Sequence, residues 1–298
     1  MRLAVLDHPA GLRLCVVHNG SYVAVEDVAE RTGEASLSGL RDVSDLLRRG
    51  PATRERLRES LAGGAWTGVP VQDEPALAAP VLHPRAIVCV GLNYAAHIEE
   101  TRRTAPERQV LFAKYPSALT GSGATVGVPE TTVSLDYEGE LVAVIGERTS
   151  RVDVAEAMDH VAGWTIMNDL SARDLQRAEP QWIRAKSSDG FAPLGPVFVE
   201  RDDLPAWGEL RIVTRVNDEV RQDALCSLMV TGVPELVAYI SESITLEPGD
   251  LIATGTPAGV ALGMDDPVFL QPGDVVTVDI EGIGTLVTHC DTPTGGEK

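Results

Sequence analysis

Glu138 and Glu140 stand two residues apart in Leu135-Asp136-Tyr137-Glu138-Gly139-Glu140, and Asp169 follows downstream in Asn168-Asp169. Residues 133–145 are apolar enough to read as a strand, on which both glutamates leave the same face. Asp169 trails a second strand-like run, residues 164–167. Three carboxylates on two strands can converge on one hard cation. All-oxygen ligation suits Mg²⁺, Mn²⁺ or Ca²⁺ rather than zinc. Such a site leaves coordination positions free for a chelating substrate. Glu-x-Glu is also the ordinary pattern of a solvated strand face, so the pair gains meaning only from its company.

That company is spread along the chain. In Gly91-Leu92-Asn93-Tyr94-Ala95-Ala96-His97-Ile98-Glu99-Glu100, a strand opens into a helix with Asn93 as candidate N-cap. His97 and Glu100 are three apart and share a helix face. A carboxylate beside a histidine fixes its tautomer, which a general base needs. The same spacing also describes a surface pair. Lys114, among apolar neighbours, is a candidate substrate contact or a snorkelling surface lysine. Arg173 and Gln176, again three apart, follow Asp169 and can orient carboxylates or an anion. Asp169 or Ser171 is equally placed to cap that short helix. Lys186 opens a Gly- and Pro-rich loop, residues 185–196, where a lysine could stabilise an enolate or carboxylate or simply be solvated. Thr254, at the end of a strand, is a candidate ligand donor or a plain strand-end threonine.

These residues need a scaffold, and the chain is long enough for one. Its 298 residues are 44% hydrophobic and 23% charged, ordinary for a globular enzyme with a sizeable core. Net charge is 25 − 44 = −19. That argues against nucleic-acid binding, and an anionic substrate must be drawn in by local positive charge. No secretory signal and no membrane-length apolar run is read. The four cysteines show no CxxC pattern, and a cytoplasmic, reducing location is the simplest reading.

Residues 1–75 read as a small N-terminal α/β domain. His18-Asn19-Gly20 between two apolar runs signals a hairpin, and residues 44–61 carry one or two helices. Residues 69–84 are rich in Pro and Ala, which gives a linker over 76–84. Residues 85–298 form the larger domain, dominated by short apolar β-type runs. Helical pieces are expected at residues 94–103, 154–160, 172–177 and 234–243. Pro-Gly-Asp at residues 248–250 and 272–274 marks two turns, each leading into a strand. The tail, residues 292–298, reads as frayed.

Taken in order, five blocks resemble the fumarylacetoacetate hydrolase family over roughly residues 85–290. They are Gly91-Leu92-Asn93-Tyr94 with His97 and Glu100; Asp136-Tyr137-Glu138-Gly139-Glu140-Leu141; Asn168-Asp169 with Ser171-Ala172-Arg173-Asp174 and Gln176; Lys186, Asp189-Gly190-Phe191, Pro193 and Gly195-Pro196; and Ala253-Thr254-Gly255-Thr256-Pro257. The resemblance implies an α+β, mostly β fold, a mixed β-sandwich or β-roll behind a small N-terminal domain, assembled as a homodimer. It implies Mg²⁺ or Mn²⁺ on Glu138, Glu140 and Asp169, and a lid helix carrying His97 and Glu100. It also places Lys186 and Thr254 on the substrate and Arg173 and Gln176 near the metal; Lys114, from its apolar setting alone, joins Arg173, Gln176 and Thr254 as a candidate substrate-binding residue. Two departures stand out: Asp218 where glycine is expected, and Leu225-Cys226-Ser227 in place of a more polar segment. If that segment lines the pocket, the substrate is less polar than the usual diacid.

The expected activity is metal-dependent hydrolysis of a carbon–carbon bond in a 2-oxo acid or 1,3-dicarbonyl compound, an acylpyruvate or fumarylpyruvate-like anion. His97, oriented by Glu100, activates water, an enolate leaves, and Lys186 stabilises developing charge. Decarboxylation, isomerisation or hydration on the same site is the first alternative. A non-catalytic ligand-binding protein on the same scaffold is the second.

Overall fold

The computed structural model describes residues 1–8, 11–67, 71–72 and 76–292. Most of the tail expected to be frayed therefore lies outside the described residues, as do residues 68–70 and 73–75 beside the expected linker. The chain opens with β1 (Arg2–Leu6), β2 (Arg13–His18) and β3 (Ser21–Ala24), then α1 (Val25–Thr32), α2 (Val43–Arg48) and α3 (Pro51–Ala62). The hairpin forms where expected. Asn19 and Gly20 both adopt positive φ, 50° and 78°, which matches the twist of the flanking strands. Asp42 caps α2 by accepting from the Asp45 amide at 2.8 Å, and Pro51 starts α3.

Short strands β4 (Val71–Gln72) and β5 (Leu77–Ala78) lead to β6 (Ile87–Gly91), the helix α4 (Ala95–Glu100), β7 (Val110–Ala113), β8 (Leu119–Thr120) and β9 (Ala124–Gly127). The site follows, with β10 (Leu135–Asp136), β11 (Gly139–Ile145), α5 (Val154–Ala157), β12 (Val161–Asn168), β13 (Ser171–Ala172), α6 (Arg173–Ala178), α7 (Ile183–Lys186) and β14 (Ala192–Glu200). The chain closes with β15 (Arg211–Val216), β16 (Glu219–Leu225), α8 (Val233–Ser241), β17 (Leu251–Ala253), β18 (Val275–Ile280) and β19 (Gly284–Asp291). The fold is α+β and mostly β, as expected. Among the described residues no helix is long and apolar enough to cross a membrane.

A mixed sheet of twelve strands runs in the order β4-β3-β2-β1-β14-β12-β11-β17-β6-β7, with β5 on β1 and β8 on β14. A second sheet, β16-β15-β18-β19-β9, packs across β11, β12 and β14. Between them lies the apolar core, with Leu141, Trp164, Ile166, Phe198, Val278 and Leu286 buried. The N-terminal unit is joined to this scaffold by main-chain bonding, since Leu3 pairs with Phe198 across β1 and β14. The stretch read as a linker carries β5 and buries Ala79 and Val81.

Two turns are explained by glycine. Gly249 and Gly273 have φ of 90° and 97° in the two Pro-Gly-Asp turns, and each aspartate amide bonds back three residues. At the β15–β16 turn, Asp218 takes φ of 67°, so it adopts the left-handed conformation for which glycine was expected.

The strand expected over residues 133–145 is interrupted. β10 pairs with β13 in its own ribbon, while β11 enters the large sheet. The chain bends at Glu138, where Asn168 Oδ1 accepts from the Glu138 amide and the Glu138 carbonyl accepts from the Asp169 amide at 2.8 Å.

Close packing of β12 against β14 fixes where Asp169 emerges. A Cβ on Gly163 would lie 2.1 Å from the Val199 carbonyl oxygen and 2.7 Å from the Phe198 ring. Gly163→Ala is expected to lower stability by about 1–3 kcal/mol through overpacking. Urea unfolding measures this directly, and an unchanged midpoint would contradict the close approach.

Candidate active site

The acidic triplet is real in space. Glu138, Glu140 and Asp169 each present a carboxylate oxygen within 4.8 Å of the others, and all three are buried. Glu140 rises from β11, Asp169 from the end of β12, and Glu138 from the bend between β10 and β11. Burial first, then the neighbouring Asp169 and Glu138 charges, push the Glu140 carboxyl well up. Like charges held this close out of water are destabilising unless a cation lies among them. A hard dication fits this donor set of three carboxylates.

Cations surround the triplet on the protein side. Lys186, the last residue of α7 rather than part of a loop, donates to Glu138 at 2.6 Å and Asp169 at 2.7 Å. Lys114 is no surface lysine: it is 2% exposed and donates to Asp169 at 2.5 Å and to the Leu170 carbonyl at 3.2 Å. Arg173, the first residue of α6, reaches Asp136 at 2.8 Å, Glu138 at 2.6 Å and Gln176 at 3.1 Å. Burial opposes ionisation of Glu138, but Arg173 and then Lys186 outweigh it and hold the carboxyl far below the usual range. Burial lowers Lys114, and Asp169 only partly offsets it.

His97 and Glu100 meet as their spacing predicts. His97 Nδ1 donates to Glu100 at 2.8 Å, and the second Glu100 oxygen accepts from the Gly259 amide at 2.7 Å. His97 is 5% exposed, so it belongs to the site and not to the surface. Asn93 does not cap α4. Its side chain instead donates to the Thr231 and Thr254 carbonyls and accepts from the Thr231 amide, pinning the start of the helix.

His97, Glu138, Glu140, Arg173, Gln176 and Lys186 line one cleft of about 30 Å³ together with Arg103, Phe112, Trp182, Thr256 and Leu262. Lys114 bonds to Asp169 and Thr254 to the main chain of the neighbouring β11, and neither lines the cleft. The Thr254 hydroxyl donates to the Leu141 carbonyl at 2.8 Å. Thr256, two residues on, lines the cleft instead; β17 ends at Ala253, so strand alternation does not carry over to either threonine. Arg103 was also missed. Its guanidinium stands 5.9 Å over the Trp182 ring at the mouth. The Leu225-Cys226-Ser227 segment is absent from the lining. It packs beside Tyr94 and Met229 at the root of α4, so its apolar character does not report on substrate polarity.

The comparisons agree with this geometry. Residues 86–290 match the family model described as fumarylacetoacetate (FAA) hydrolase C-terminal. The mitochondrial oxaloacetate tautomerase FAHD2A of Bos taurus is 40% identical over 247 residues, 82% of this chain and 77% of its own. Oxaloacetate tautomerase YisK of Bacillus subtilis is 44% identical over 217 residues, 72% of each chain. The structure of fumarylacetoacetate hydrolase from psychrophilic Exiguobacterium antarcticum superposes with a TM-score of 0.83 at 36% identity, covering 98% of this chain and 99% of that one. The chain belongs to the fumarylacetoacetate hydrolase family, and it is an enzyme.

Glu140→Gln separates the metal from the fold. Because the folded Glu140 carboxyl holds its proton to higher pH than an unfolded one, its ionisation costs metal-free protein stability as pH rises above about 4.3. The variant, measured by urea unfolding in chelator, should be at least as stable as the parent at neutral pH, with the difference shrinking in acid. It should also lose the Mn²⁺-induced rise in melting temperature. An intact rise would remove Glu140 from the cation site.

Proposed function

We propose that this enzyme interconverts the keto and enol forms of a compact 2-oxo diacid of the oxaloacetate type. The observation that carries the reading is His97, which lines the same small cleft as Glu138 and Glu140 and is bonded to a Glu100 that is itself anchored on the Gly259 amide. A volume of about 30 Å³ holds only a few waters, so a compact acid demands the least opening of α4. Two tautomerase relatives at 40% and 44% identity support the same substrate class.

With the Nδ1 proton directed at Glu100, His97 Nε2 is free to take the proton from C3 of the substrate. The C–H electron pair becomes the C2=C3 bond as the carbonyl π pair moves onto the C2 oxygen, and return of the proton from His97 to that oxygen, directly or through water, completes the enol and restores the neutral imidazole. Mg²⁺ or Mn²⁺ held by Glu138, Glu140 and Asp169 would supply Lewis-acid polarisation of the 2-oxo group. Lys186 and Arg173 fix the carboxylates that hold it, and Gln176 in turn braces Arg173. Arg103 at the mouth is placed to meet a substrate carboxylate. Lys114 acts through Asp169, and Thr254 through β11, which sets both behind the substrate rather than on it.

Carbon–carbon hydrolysis is the second reading, with His97 activating water in place of a C–H bond. The Exiguobacterium structure, named as a fumarylacetoacetate hydrolase, favours it. A homodimer belongs to this proposal, and the exposed Leu228 and Val230, each 60% exposed, offer apolar surface for it. A cytosolic location does too, since all four cysteines are buried and free.

Purified protein with Mg²⁺ should accelerate decay of enol-oxaloacetate absorbance without releasing CO₂ or carboxylic acid fragments, as followed by NMR. His97→Ala should lose about 10²–10⁴-fold in rate while still binding Mn²⁺. Full activity in that variant would dismiss His97 as the base. Acid fragments from a diketo acid panel would transfer the site to the hydrolytic reading.

A further inference from the structure

Asp136 is fully buried, yet it neither lines the cleft nor joins the metal triplet. Its carboxylate is saturated with donors. Oδ1 accepts from the Tyr137 amide at 2.9 Å and from the Ala261 amide at 2.9 Å. Oδ2 accepts from Arg173 Nε at 2.8 Å and from the Leu262 amide at 3.0 Å. A buried carboxylate is expensive to keep, and this one joins the Arg173–Glu138 pair to the loop that anchors Glu100.

On one side, Arg173 divides its guanidinium between Asp136 and Glu138, so Asp136 sets where Glu138 is held. On the other side, the amides of residues 261–262 belong to the loop that also supplies the Gly259 amide to Glu100. Gly259 has φ of 107°, and a Cβ there would lie 1.8 Å from the Arg221 carbonyl oxygen, so its peptide has no freedom to drift. The Tyr137 hydroxyl, one residue from Asp136, donates to the Gly259 carbonyl at 2.9 Å. A continuous path of hydrogen bonds thus runs from Glu138 through Arg173 and Asp136 to the loop, then through Glu100 to His97.

We infer that Asp136 is a positioning residue that sets the metal-ligating carboxylate Glu138 and the base His97 in register with each other. The inference rests on the site assignment above. It adds that the two halves of the chemistry are aligned by one carboxylate that touches neither substrate nor metal.

Asp136→Asn keeps the shape and removes acceptor capacity, so the amide group must face donors it cannot satisfy. The folded variant, checked by its melting curve, should bind Mn²⁺ about tenfold more weakly by calorimetry and lose about 10–100-fold in kcat, with KM little changed. Combined with Glu100→Gln, the losses should be less than multiplicative, because both act on the same path. Mn²⁺ affinity and kcat equal to the parent within error would overturn the inference, and fully multiplicative losses would break the link to His97. If Asp136→Asn does not fold, Ala261→Pro deletes one donor to Asp136 without touching the carboxylate. Val260 has φ −69° and ψ 153°, which a following proline accepts, and Ala261 is the first residue of a 3-10 turn. That variant should show the same two losses at smaller size, and unchanged values would overturn the inference equally. If the parent turns over no oxo acid, the functional reading fails, and the Mn²⁺ affinities alone decide the role of Asp136.

Discussion

The site depends on burying four carboxylates and three cationic side chains in one place. Ionised together, as a cation in the triplet would allow, Asp136, Glu138, Glu140 and Asp169 carry four negative charges against three positive ones on Lys114, Arg173 and Lys186, −4 + 3 = −1; without that cation burial pushes the Glu140 carboxyl up towards its neutral form. Each ion costs several kcal/mol to desolvate, and mutual pairing recovers that cost only if geometry is good. The strands supply that geometry. β11 and β12 lie at the centre of the twelve-stranded sheet, flanked by β17 and β14, so the backbone from which Glu140 and Asp169 emerge has few ways to move.

On the proposed reading, the remaining charge would let an enzyme of net charge −19 draw in an anion. A dication within the triplet turns the local sum from −1 to +1. Arg103 at the mouth adds a further positive charge close to where a substrate carboxylate would enter. Buried charges are screened less by salt than surface ones, so this local field outweighs the diffuse negative surface at short range.

Much of this was legible from residue types and order. Glu138 and Glu140 announced themselves by spacing, and His97 and Glu100 by sharing a helix face. Local rules carry such relations because the chain supplies them within one turn or one strand. Cross-chain relations were not readable in the same way. Asp136 looked like part of an acidic strand, and only the approach of α6 and residues 261–262 shows what it holds. Lys114 read as either a substrate contact or a surface lysine, because its place depends on Asp169, 55 positions away. Thr254 was read as a strand-end donor and by its match to the family's blocks, while β17 ends at Ala253 and the turn beyond it brings Thr256 to the cleft. Asn93 looked like a helix cap, but residues 231 and 254 compete for its amide and win, since three hydrogen bonds there exceed the one a cap would make.

The segment of residues 255–262 shows a division of labour within single residues. Gly255, Gly259, Ala261 and Leu262 contact Glu140, Glu100 and Asp136 through backbone amides, which every residue except proline carries. Leu262 also presents its side chain to the cleft. The amide that aligns the machinery and the side chain that meets the substrate therefore belong to one residue yet answer to separate constraints. Changing the Leu262 side chain alters the wall of the cleft without removing a donor from Asp136. Gly259 has no such latitude, because the Arg221 carbonyl occupies the space of any side chain. A cleft built this way can change its wall while the positions of its carboxylates and of His97 stay fixed.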